Sequence, residues 1–345
     1  MNGEVALGTY KDVDAVVLEN AFLRVAVVPE CGSKIASMVY KPLGLELFWQ
    51  NPAQSFRKTA YADDYELGDI SAFDEMFPTI SRCFYERFPW AGTEVPDHGE
   101  VWSIPWDLGE EFAGELGRKI IGGPVKGCAV NLSVRGIQFP YKITKRVSLE
   151  GGRLRIDYTA SNLSGFELDY IWAAHPLFNA AEGMELIVPP GMDRVINAVP
   201  SPGLGGYGRV LEFPIAWRED GTELNLGVVP AKNDGGYQKY WFLGKATEGW
   251  CMLHDKEKSL TVGMSYPVEK VPYLGVWLNE GGWEGQYNIA PEPATGAMDR
   301  IDFSRMWGMN SVLKGRQTVS WHLCISVMTG KKPSRMRENG EFAAP

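Results

Sequence analysis

Along most of the chain, apolar and polar residues alternate with a period of two, the pattern of strands with one buried face. "YKITKRVSL" sets Tyr141, Ile143, Val147 and Leu149 against polar neighbours, and "RLRIDYTASN" does the same with Leu154, Ile156 and Tyr158. Between them stands "EGG" at Glu150–Gly152, so the two runs predict an antiparallel hairpin. "TVSWHLCISV" puts Val319, Trp321, Leu323, Ile325 and Val327 on one face. "FLRVAVV", Phe22 to Val28, has little polar relief and predicts a strand buried on both sides, followed by a turn at Pro29–Gly32 and a strand ending at Tyr40. Helical periodicity is sparse, and its best stretch is "DRIDFSRMWGMNSVL", Asp299 to Leu313.

The 39 Gly and 22 Pro punctuate short strands and do not gather into a linker. No internal repeat is visible. These patterns predict an all-β fold, a large antiparallel sandwich with few short helices, over residues 1–330. Residues 331–345, "KKPSRMRENGEFAAP", read as a charged, frayed tail.

Composition narrows the function classes. A net charge of -9 argues against nucleic acid or an anionic membrane surface as partner. The five cysteines are scattered and form no C-x-x-C pair, which argues against a disulfide framework or zinc site and for a reducing cytoplasm. The opening "MNGEVALGTYKDVDAVV" lacks the basic start and apolar core of a signal peptide. Twelve Trp and fourteen Tyr lean towards carbohydrate, because flat rings stack on the apolar faces of sugars.

Three stretches combine a titratable residue with turn-forming neighbours. "PDHGEVWSIPW" holds His98, "YIWAAHPLFNA" holds His175, and "YNIAPEPATGAMD" holds Glu292 between two prolines. The prolines stiffen the backbone around that carboxylate, as a catalytic group requires, although an ordinary surface loop would look the same. The other histidines invite less: His254 reads as a solvated hairpin tip, and His322 faces away from the Trp321 side. Trp102, Trp106 and Trp172 suit a core; Trp277, shortly before Glu292, is the better candidate for a sugar wall. Glu280 and Glu284 are acidic rivals that lack flanking prolines.

In order, His-Gly, His-Pro-x-Phe-Asn and Glu-Pro-x-Thr-Gly resemble the galactose mutarotase-like superfamily, the aldose 1-epimerases. "LENAFLRVAVVPECGSKIASM", "IDYTASNLSGFELDYIWAAHPLFN" and "GRQTVSWHLCISV" are similar to its opening hairpin, its central histidine strand and its closing strand. The resemblance implies a β-supersandwich with a sugar cleft, Glu292 as base, His175 as acid, and His98 binding the sugar. Interconverting pyranose anomers needs a proton taken from the C1 hydroxyl and one given to the ring oxygen, so an acid and a base suffice without metal or cofactor. The family's sugar-binding aspartate has no direct counterpart: the alignment of "NDGGYQKYWFL" places Gln238 there, with Asp234 or Lys239 as substitutes. Arg82 stands where relatives carry a sugar-binding arginine.

The expected partner is a small carbohydrate, in a monomer or a homodimer. Three alternatives stay open: a non-catalytic sugar-binding or sensing protein, an epimerase of hexose 6-phosphates, and a glycoside hydrolase. The hydrolase requires a second carboxyl opposite Glu292.

Overall fold

The computed structural model describes residues 3–109, 125–126, 128–233 and 235–343. The chain is about 46% strand and 4% helix, which places it in the all-β class. Two antiparallel sheets, of fourteen and eight strands, hold most of it. Their inner faces share one hydrophobic cluster, in which Val16, Val25 and Met38 of the larger sheet meet Ile143, Ile156 and Leu323 of the smaller.

The hairpin read from "EGG" is present. Tyr141–Glu150 pairs with Arg153–Asn162, Glu150 opposite Arg153, and Gly151 takes a φ of 59° at the turn. Val147, Ile156 and Leu323 face the core, whereas Thr144 and Thr159 meet on the outer face with their hydroxyls 2.5 Å apart. Thr318–Thr329 lies between Arg153–Asn162 and Leu260–Ser265. Leu23–Val28 pairs with Lys34–Tyr40 and is buried except at Arg24, as its composition predicts.

The site is carried by the middle of the larger sheet, where Phe73–Met76, Ala173–Pro176, Asn288–Ala294, Tyr273–Asn279 and Tyr237–Phe242 lie side by side. Glu292 therefore sits on a central strand and not in a loop, despite its two prolines. On one side Asn288–Ala294 pairs with Tyr273–Asn279 along its whole length. On the other, only Ala294 pairs with Ala173, while Ile289 and Asn288 pair with Phe178 and Asn179. The interval holding Pro291 and Pro293 is left unpaired. A proline has no N–H to give a ladder, so a central strand accepts it only where the ladder is already open.

Three further expectations change. The helix is confined to Ile301–Met306, because the residues after it turn at Gly308 and enter the strand Ser311–Leu313. His254 is buried within Trp250–Asp255, paired with Thr261 on one side and Glu185 on the other; the hairpin tip lies beyond it. The tail is folded: Arg335–Met336 pairs with Phe342–Ala343, and Met336 is buried against Trp250 and Met252. Among the described residues no helix is long and apolar enough to cross a membrane.

Candidate active site

A cavity of about 250 Å3 opens on the larger sheet where the proline-bearing strand faces Ala173–Pro176. Its floor is ionisable and fully enclosed. The Nε2 of His175 stands 3.7 Å from Oε1 of Glu292, and both side chains are buried. Neither Nδ1 of His175 nor Oε1 of Glu292 has a hydrogen-bond partner among the described residues. Buried polar atoms are seldom left unmet, so two of them on neighbouring side chains set this floor apart from an ordinary core.

Lys239 enters the same floor from Tyr237–Phe242. Its ammonium donates to Oε2 of Glu292 and lies 3.7 Å from Oδ1 of Asp299, which the Trp241 indole N–H also bonds at 2.9 Å. Burial works against the charge on Lys239, but the two carboxylates outweigh it and hold its pKa above the ordinary 10.5. Burial raises Glu292 above its ordinary 4.5, and Lys239 offsets only part of that. Burial also pushes His175 well below 6.5, with the charges of His98, Lys239 and Lys34 adding to the effect. Burial thus shifts the carboxyl and the imidazole of the floor in opposite directions, each against its charged form.

His98 forms the next wall. Its backbone adopts a φ of 57°, followed by Gly99 at 75°. A Cβ on Gly99 would lie 2.0 Å from the carbonyl oxygen of Phe77, so only glycine fits this crossing. The His98 ring stacks on Tyr65, with centroids 3.9 Å apart and planes 7° apart, while its Nδ1 lies 3.0 Å from Asp97 Oδ2. Tyr65 is itself fixed, its hydroxyl donating to Asp74 at 2.9 Å and Lys34 donating to the same carboxylate oxygen. The Tyr65 ring also stands edge-on to His175 at 5.6 Å. One buried tyrosine thus braces both imidazoles.

Of the residues singled out from the sequence, Glu292, His175, His98, Lys239 and Trp277 line this cavity. Gln238 does not. Successive strand residues face opposite ways, and Gln238 turns from Lys239's side to bond Glu280 at 2.5 Å. Arg82 also lies elsewhere, half exposed and paired with Asp64 and Glu94. Asp234 falls outside the described residues. Glu280 is held by Gln238 and by Asn233, and Glu284 is exposed; neither reaches the cavity. Sequence reasoning passed over Tyr65, Asp299, Trp283 and Gln286. Only Asp299 left a trace, at the end of the stretch that carries Glu292.

A larger hollow of about 590 Å3 lies against the smaller sheet. His322 is the one histidine lining it, and no residue proposed for the chemistry does.

No family model and no curated protein matches the sequence. Solved structures do match in shape. A galactose mutarotase-like protein from Lactobacillus casei superposes with a TM-score of 0.63 at 18% identity, over 91% of this chain and 100% of that one. One from Clostridium acetobutylicum gives 0.65 at 12% identity, over 94% and 98%. A galactose mutarotase related enzyme from Lactobacillus acidophilus gives 0.62 at 13%, over 91% and 97%. Likeness at this identity concerns shape: the chain has the galactose mutarotase-like β-sandwich fold.

Proposed function

We propose that the protein is an aldose 1-epimerase, interconverting the α and β anomers of a hexopyranose or related sugar. The observation that carries this reading is the His175–Glu292 pair, 3.7 Å apart at the floor of a one-ring cavity, with an unpartnered polar atom on each side chain. Clefts for drug-sized ligands run to roughly 300–1,000 Å3, so about 250 Å3 suits a single ring.

Glu292, ionised beside Lys239, takes the proton of the C1 hydroxyl while His175 gives one to the ring oxygen. The C1–O5 bond breaks to an open aldehyde, which turns about C1–C2 and closes on its other face. In closing, each group returns what it exchanged, so both end as they began. O1 and O5 are bonded to the same carbon, and two groups a few ångströms apart can serve both. His98 and Trp277 hold the ring in place. The experiment is anomer exchange followed by NMR, wild type against Glu292→Gln. A loss of about 100-fold or more is expected, in line with removal of a general base; equal rates would remove Glu292 from the role.

The contact between Lys239 and Glu292 favours one other reading, a sugar-binding or sensing protein, because an ammonium already occupies one oxygen of the base. Tight binding without any acceleration of exchange would select it. The same contact weighs against a glycoside hydrolase. Asp299, a second carboxyl of the cavity, meets the same ammonium as Glu292, whereas that reaction needs its two carboxyls on either side of the scissile bond.

A further inference from the structure

We propose that Asp97 is a positioning residue of the site: it holds a proton on Nδ1 of His98 and so leaves Nε2 of that ring to meet the sugar. The sugar comes from the epimerase reading, on which this rests; the contacts between the two side chains do not depend on it.

Asp97 and His98 are consecutive, and consecutive side chains of an extended chain point to opposite sides. Here they meet, with Nδ1 3.0 Å from Oδ2. A turn from Pro96 to Gly99 makes this possible. Gly99 donates its N–H to the Pro96 carbonyl at 3.0 Å, and His98, third in the turn, takes a φ of 57°. Glycine or asparagine is the usual occupant of such a position. A histidine there carries strain, which persists only where the surroundings enforce it. They do so here: the His98 N–H bonds the Ile80 carbonyl at 2.6 Å, and the Glu100 N–H bonds the Phe77 carbonyl at 2.7 Å. The strained backbone thus serves to bring a carboxylate beside an imidazole.

The carboxylate is itself fixed. Its Oδ2 also accepts the Tyr65 N–H at 3.3 Å, and the Asp97 carbonyl accepts the Trp102 indole N–H at 2.9 Å. Tyr65 therefore grips the dipeptide twice, by its N–H on the carboxylate and by its ring on the imidazole, with centroids 3.9 Å apart. Trp102 stands edge-on to both rings, at 6.4 Å from His98 and 5.1 Å from Tyr65.

Burial acts to lift Asp97, but the charge of His98 and its hydrogen bond outweigh that and hold the carboxyl below 3.8. An ionised carboxylate only accepts, so the nitrogen facing it must carry the proton. Nε2 is then the nitrogen left to the cavity, which both residues line. A neutral imidazole offers a donor or an acceptor at that atom according to its tautomer, so the group that fixes the tautomer decides what a ligand meets. His175 lacks this device, for its Nδ1 has no partner among the described residues.

Long-range 1H–15N correlation spectra show which nitrogen of an imidazole is protonated, and with four histidines in the chain a His98→Gln variant identifies the signal. In the sugar-free wild type, Nδ1 of His98 is expected to carry a proton at every pH. Asp97→Ala should release part of the population to the Nε2–H form and lower kcat/KM for anomer exchange about ten-fold, the scale of a misplaced group. Asp97→Glu should recover part of both. The loss should act through the imidazole, so in a His98→Gln background Asp97→Ala should cost less than about two-fold. A bare Nδ1 in the wild type, unchanged exchange in Asp97→Ala, or a loss undiminished in the His98→Gln background would each overturn the proposal. Should Asp97→Ala not fold, the wild-type spectrum decides alone. A wild type that exchanges no anomers refutes the epimerase reading while the spectra still decide whether Asp97 sets His98; exchange with Nδ1 bare does the reverse.

Discussion

Glu292 and His175 lose the same solvent and respond in opposite directions, because burial penalises whichever form is charged. The carboxylate rises from 4.5 and the imidazole falls from 6.5. A reaction needing ionised Glu292 and protonated His175 then runs in a pH window narrowed from both sides. Lys239 lowers both groups, so Lys239→Met should raise both, and both limbs of the kcat/KM profile should move to higher pH. A profile that stays in place, or moves towards acid, would break the link between this lysine and the pair. The height of the profile does not enter the test. The sequence marked the two groups themselves, because each stands in a short run with its own neighbours. It could not choose between Gln238 and Lys239, since a shift of one position along a strand exchanges the faces. Tyr65 and Gln286 were invisible for a different reason: in irregular segments no period tells where a side chain points.

At the scale of elements, the seam between Ala173–Pro176 and Asn288–Ala294 does the positioning. Pro291 and Pro293 sit where the ladder is open, flanking the one carboxylate that must look across it. Replacing both with alanine returns two N–H groups to a central strand and frees the backbone beside Glu292. The double variant should remain folded, since both positions stay small and apolar. Anomer exchange should fall by about ten-fold through kcat, with a smaller change in KM, as expected when a group is misplaced and not removed. An unchanged kcat in a folded variant would mean that the prolines are there for the sheet alone. The sequence showed the stiffness of this segment but suggested a loop, because proline argues against a central strand unless the neighbouring ladder is interrupted. That interruption is a property of pairing between distant segments, and no local pattern reports it.

For the molecule as a whole, the alternating runs were enough to indicate two large sheets, because each buries one face and the period of two says which. What lay beyond that pattern was how the sheets are covered. Residues 331–345 carry so many charges that they read as frayed, yet residues 335–343 close the outer face of the smaller sheet. Ser265 and Ser326 donate to the carbonyls of Glu338 and Gly340, at 3.0 and 2.7 Å. Gly263 leaves the room that Met336 fills, for a Cβ there would lie 2.1 Å from its sulfur. Met336 is 1% exposed, so Met336→Ala should lower the free energy of unfolding by about 2–5 kcal/mol, the range for a buried methionine. The cavity stands on the other sheet, and anomer exchange measured well below the unfolding transition should be unaltered. Chemical denaturation and NMR exchange on the same sample decide both halves. A variant as stable as wild type would return the segment to the frayed state its charges suggest. Lost activity at full stability would show that the two sheets are coupled through the core they share.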